Sequence, residues 1–129
     1  MPPKSERSRQ RESDSFRLAS RSADLMLDKK AKEIIIMDLR GLTSVTDFFI
    51  VCTGESDLQI KAIVDHLKDT LLKEKTRPSH IEGYDKLSWV LIDYVDVVAH
   101  VFLPEVRNYY GLERLWADAN ITEVSDQAE

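Results

Sequence analysis

The 129-residue chain predicts an α/β fold, a mixed β-sheet packed with helices in a single domain. Three observations carry this. Short apolar runs rich in β-branched and aromatic residues read as buried strands, and a strongly periodic amphipathic stretch between them reads as a helix. The length suits one hydrophobic core rather than two. The composition, 43% hydrophobic and 32% charged with 4 Gly and 4 Pro, is that of an ordinary globular protein.

The elements follow in order. "MPPKSERSRQRESDS" has almost no apolar residues, so residues 1–15 are expected to be a disordered basic tail. Phe16, Leu18, Leu25, Met26 and Leu27 predict an amphipathic helix ending near Lys30. "EIIIMDL" and "DFFIVCT" are two strands, with Gly41 and its polar neighbours marking the turn between them. A helix follows from Ser56, which forms a capping box with Gln59 and leads an apolar stripe of Ile60, Ile63, Val64, Leu67 and Leu71. "SHIEG" is a short strand, "LSWVLID" and "VVAHVF" are two more, and "YYGLERLW" is a terminal helix. The folded domain is expected over residues 16–119, with residues 120–129 a flexible acidic tail.

Composition narrows the class of protein. No apolar run approaches the roughly 18 residues of a membrane span, and the N-terminus lacks the apolar core of a secretory signal. A cytoplasmic protein is expected; a mitochondrial or plastid transit peptide fits less well, because such peptides are poor in acids. The single cysteine, Cys52, excludes an internal disulfide and a multi-cysteine zinc site, and reads as a small buried residue. The net charge is −5, but residues 1–21 hold six basic and three acidic residues, net +3, which leaves −8 on the remainder. An acidic body repels phosphates and suits a basic protein partner.

Candidate chemistry centres on "SWVLIDYVDVVAHVF", which sets Asp93, Asp96 and His100 in an apolar run. Two-metal nucleotidyl transfer needs carboxylates converging on cations about 4 Å apart. Asp93 and Asp96 are three apart, so on a continuous strand they face opposite ways; they approach each other only if Tyr94 and Val95 turn. Gly54-Glu55-Ser56 opens a helix after a strand, where phosphate could bind, but Glu55 and Asp57 oppose an anion. His100 reads as a structural imidazole, and His66 and His80 lack partners at ligand spacing. No cofactor is expected. On the strand, Val90 and Ile92 point one way while Trp89, Leu91 and Asp93 point the other. In the last helix Tyr109, Leu112 and Trp116 share a face that Tyr110 leaves. Aromatic residues flanked by carboxylates have the composition of a protein-binding hot spot.

"DLRGLTSVTDFFIVCTGESDLQIKAI", "IEGYDKLSWVLIDYVDVVAHVF" and "EVRNYYGLERLW", in this order, resemble the ribosomal silencing factor or Iojap family over about residues 16–119. Members often carry Gly where this chain has Val95, and usually Asn or Thr where it has Glu55. The resemblance implies a nucleotidyltransferase-like topology without an active site, and a protein that is not an enzyme. It implies binding to the large ribosomal subunit through ribosomal protein number fourteen, steric block of subunit joining, and repression of translation under nutrient limitation. It also implies a possible homodimer when free and at most peripheral contact with ribosomal RNA. The expected docking residues are Trp89, Asp93, Tyr94, Asp96, His100, Tyr110 and Glu113. The alternative is a nucleotide-binding or nucleotidyltransferase-type enzyme using Asp93 and Asp96.

Overall fold

β-branched and aromatic side chains pack well on a pleated surface, and the apolar runs all become strands. The computed structural model describes residues 5–125. In chain order the elements are α1 (Glu6–Asp28), β1 (Lys32–Asp38), β2 (Phe48–Thr53), α2 (Asp57–Lys73), β3 (His80–Glu82), β4 (Trp89–Asp93), β5 (Val97–Phe102), α3 (Pro104–Tyr110), α4 (Leu112–Leu115) and β6 (Asn120–Val124). They build a six-stranded sheet in the order β3-β4-β5-β2-β1-β6. The β2–β5 pair is parallel and every other pair antiparallel, so the sheet is mixed as expected.

α1 and α2 cover one sheet face. Beneath them Phe48, Ile50 and Cys52 of β2, Val90 and Ile92 of β4, and Val97, Ala99 and Val101 of β5 form the main core with the α2 stripe. α1 contributes mostly small residues: Ser15, Ala19, Ser22 and Ala23 are buried on successive turns, and the helix lies close to the sheet. Ser56 caps α2 by accepting the Gln59 N–H at 3.1 Å. The Gln59 carboxamide reaches back one residue further than the reciprocal capping box requires, taking the Glu55 N–H at 2.8 Å. Burial of Cys52 pushes its thiol up to about 12, as a packing residue's would be. No helix among the described residues is long and apolar enough to cross a membrane.

Four expectations need correction. α1 begins at Glu6, capped by Ser5, so helix occupies most of the segment expected to be a disordered tail; residues 1–4 lie outside the described residues. Phe16 is 51% exposed, because the small residues rather than Phe16 form the buried face. Residues 120–124, expected in a flexible tail, form β6 against the otherwise free edge of β1, from Ile34↔Val124 to Asp38↔Asn120. The terminal helix is two helices: Gly111 at φ 57 ends α3 in the left-handed region, and Tyr109 turns outward to 79% exposure.

Candidate protein-docking surface

The second sheet face is only partly covered. Leu112 of α4, with Val106 and Trp116 against it, packs on Ile35, Met37, Val51 and Phe102 and closes the C-terminal half of β5. Strand alternation brings Trp89, Leu91 and Asp93 to this face, half-buried, while Val90 and Ile92 face the helices. The Trp89 ring stacks on Phe102 at 4.9 Å between centroids and leans on Tyr110 at 4.7 Å. Its indole N–H donates to Nδ1 of His100 at 3.1 Å. His100 lies edge-to-face with Phe49 at 4.5 Å, and Phe49 meets Trp116 in the same way at 6.2 Å. The result is an aromatic array crossing β4, β5 and β2, with Tyr110, 52% exposed, at one end.

Burial without a charged partner holds the His100 imidazole neutral and drives its pKa down to about 3. At the other end of the array stand Asp93, His80 and Glu82. The His80 ring lies 2.9 Å from Glu82 and 3.6 Å from Asp93. Asp93 also shapes the hairpin: its Oδ1 accepts the Val95 N–H at 2.7 Å, while Val95 sits at φ 75. The Asp96 backbone carbonyl takes the Asp47 and Phe48 N–H groups and ties this turn to β2.

Two of the expected docking residues have other roles. Alternation from Val90 and Ile92 carries Tyr94 to the helix side, where it is 8% exposed within the main core and burial pushes its hydroxyl up to about 12. Glu113 pairs at 3.3 Å with Arg107, whose buried guanidinium donates to the Glu33 carbonyl at 2.7 Å and to Thr53 Oγ1 at 2.9 Å. Glu33 presents that carbonyl from a bulge in β1 at φ 50. Spacing in the sequence gave no sign of Arg107, which lies 74 residues from Glu33.

The turn that the enzyme alternative needed between Asp93 and Asp96 is present, but the two features weighed for that alternative lie at opposite ends of the central strands. β2 and β5 run parallel, so Asp93 and Asp96 sit beside their N-terminal ends, while the Gly54 N–H bonds the Phe102 carbonyl at their C-terminal ends. Six strand residues, about 17 Å, separate the carboxylates from the only helix-opening turn that the sequence offered a phosphate. Among the described residues no group of three or more His, Cys, Asp or Glu is placed to hold a metal ion.

Fold and surface together define an α/β domain with helices over one sheet face and a partly open aromatic face on the other. The model of the family described as "Ribosomal silencing factor during starvation" matches residues 12–129, and the chain belongs to this family. It is 41% identical over 97 residues to "Ribosomal silencing factor RsfS" of Bacillus subtilis, covering 75% of this chain and 82% of that protein. It is 32% identical over 95 residues to "Mitochondrial assembly of ribosomal large subunit protein 1" of Mus musculus, covering 71% of this chain and 42% of that one. A crystal structure of a Chromobacterium violaceum protein superposes with a TM-score of 0.74 at 35% identity, covering 91% of this chain and 95% of that one.

Proposed function

We propose that the protein binds the large ribosomal subunit through ribosomal protein number fourteen and blocks joining of the small subunit, repressing translation under nutrient limitation. The observation that supports it most is the aromatic face bordered by Asp93 and Glu82 on a chain of net charge −5. Trp89 and Tyr110 supply large rigid surface, the usual anchors of an interface, and the carboxylates complement a basic partner. His100 belongs to the surface by holding Trp89 in place. Tyr94 and Glu113 leave the proposed set, and Asp96 stays in it through the turn it forms. The mechanism is occlusion: a bound domain of 14.8 kDa occupies space the small subunit needs, with no chemical step.

The murine relative's name points to the large subunit, and the bacterial relative favours action in the cytoplasm. A homodimer of the free protein, and contact of the exposed Arg7 and Arg11 on the first turns of α1 with ribosomal RNA, belong to the same proposal. Sedimentation with purified subunits tests it: the protein should travel with the large subunit and not the small one. Binding should weaken as salt rises, because exposed charge pairs are screened beyond about 8 Å at physiological ionic strength. Migration at the top of the gradient in the presence of large subunits would count against the proposal.

A further inference from the structure

His100 is 3% exposed, and its Nδ1 receives the Trp89 indole proton. An indole nitrogen only donates, so Nδ1 must be the bare nitrogen and the ring proton sits on Nε2. Burial keeps the ring neutral, so this tautomer persists at neutral pH. The Nε2–H is therefore a donor closed off from solvent with no acceptor. Buried donors in native proteins almost always have one. Thr46 Oγ1 is unpartnered in the same way. Both residues line one groove of about 390 Å³ on the open sheet face.

The groove's other chemistry narrows what would fill it. Phe49, Leu91 and Val98 make its walls apolar, and Glu82 and Asp93 place carboxylates along it. An anion is repelled there. A peptide backbone offers what both unpartnered groups need, a carbonyl to accept from His100 and an N–H to donate to the Thr46 hydroxyl. We propose that this groove binds an extended, lysine- or arginine-bearing segment of the ribosomal partner, with a backbone carbonyl accepting the His100 Nε2 proton and the cationic side chain reaching Asp93 and Glu82. The inference rests on the docking surface proposed above and assigns the polar contact at its centre. Because Nε2 is closed off, the incoming segment must shift a neighbouring side chain; Phe49, half-buried and edge-on to the ring, is the nearest aromatic one.

The test uses the full chain with 15N-labelled histidine and isolated ribosomal protein number fourteen as the probe. The free protein should show His100 protonated at Nε2. On complex formation that proton should move downfield and exchange more slowly with water. His100→Leu should bind about tenfold more weakly, equivalent to about 1.4 kcal/mol. His100→Gln, whose side-chain amide stands near the Nε2 position, should recover most of the loss. A complex that forms with the Nε2 proton unchanged, or His100→Leu binding like the unaltered protein, overturns this inference and leaves the docking surface intact. Absence of any complex overturns both. The resonance is read in the unaltered protein, so the result does not depend on how well a variant folds.

Discussion

Lowering the pH from 7 to 5 should remove about 2 kcal/mol of stability through His100 alone. The unfolded imidazole titrates near 6.5, whereas burial pushes the folded one to about 3. Above pH 6.5 the ring is neutral in both states and the contribution to stability is complete. As the pH falls, the unfolded chain takes up a proton that the folded chain refuses until about pH 3, so stability declines. At pH 5 the unfolded state has gained about 1.5 units of proton affinity over the folded one, which is about 2 kcal/mol. The magnitude depends little on the folded value, provided that it lies well below 5. Urea unfolding at pH 7, 6 and 5 reads it as a midpoint lower by about 1 M. The same series on His100→Gln cancels His66, His80 and the carboxylates in the difference. Equal pH slopes for the two proteins would refute a buried, neutral His100.

Other substitutions test the supports of the surface. Arg107→Ala should destabilise by about 3 kcal/mol in urea, because it strands the Glu33 carbonyl and the Thr53 hydroxyl; a loss below about 1 kcal/mol would show that water replaces the guanidinium. Val95→Gly should stabilise by about 1 kcal/mol, since a β-branched residue at φ 75 is strained where glycine is not; a lower melting temperature would contradict this. Trp89→Ala should weaken large-subunit binding by about 2 kcal/mol or more, with a stability loss below the ~3–5 kcal/mol of a fully buried aromatic; complete unfolding would make it a core residue. Asp93→Asn keeps an oxygen for the Val95 N–H, so it should melt normally yet bind less tightly and with less salt dependence. Unchanged binding would remove Asp93 from the interface.

The strands were legible because each is a local run with its own signature, and the alternation of β4 correctly put Trp89 and Asp93 opposite Val90 and Ile92. What escaped reading depended on distant partners or on one backbone angle. β6 carries the weak pattern "NITEV" and is a strand because β1 offers it a free edge. "ERSRQRESD" has no apolar stripe, and its helix draws instead on the Ser5 cap and on spaced polar pairs such as Gln10 to Asp14 at 3.0 Å. Tyr94 simply continues the alternation of Val90 and Ile92 into the main core, which its place between two aspartates hid. Gly111 was visible in "YYGLERLW", but an apolar period spanning it suggested one continuous helix. His100 was read both as a structural imidazole and as a docking residue, and the structure gives it a hydrogen bond from Trp89. Its unpartnered Nε2 could emerge only from the packed neighbours.

The central proposal is that the bound protein excludes the small subunit, and light scattering during subunit mixing measures this directly. Purified large subunits preincubated with a slight excess of the protein should give little or no rise in scattering when small subunits are added. Trp89→Ala at the same concentration should restore the rise in proportion to its lost affinity. Full joining in the presence of large subunits saturated with the unaltered protein would contradict the proposal.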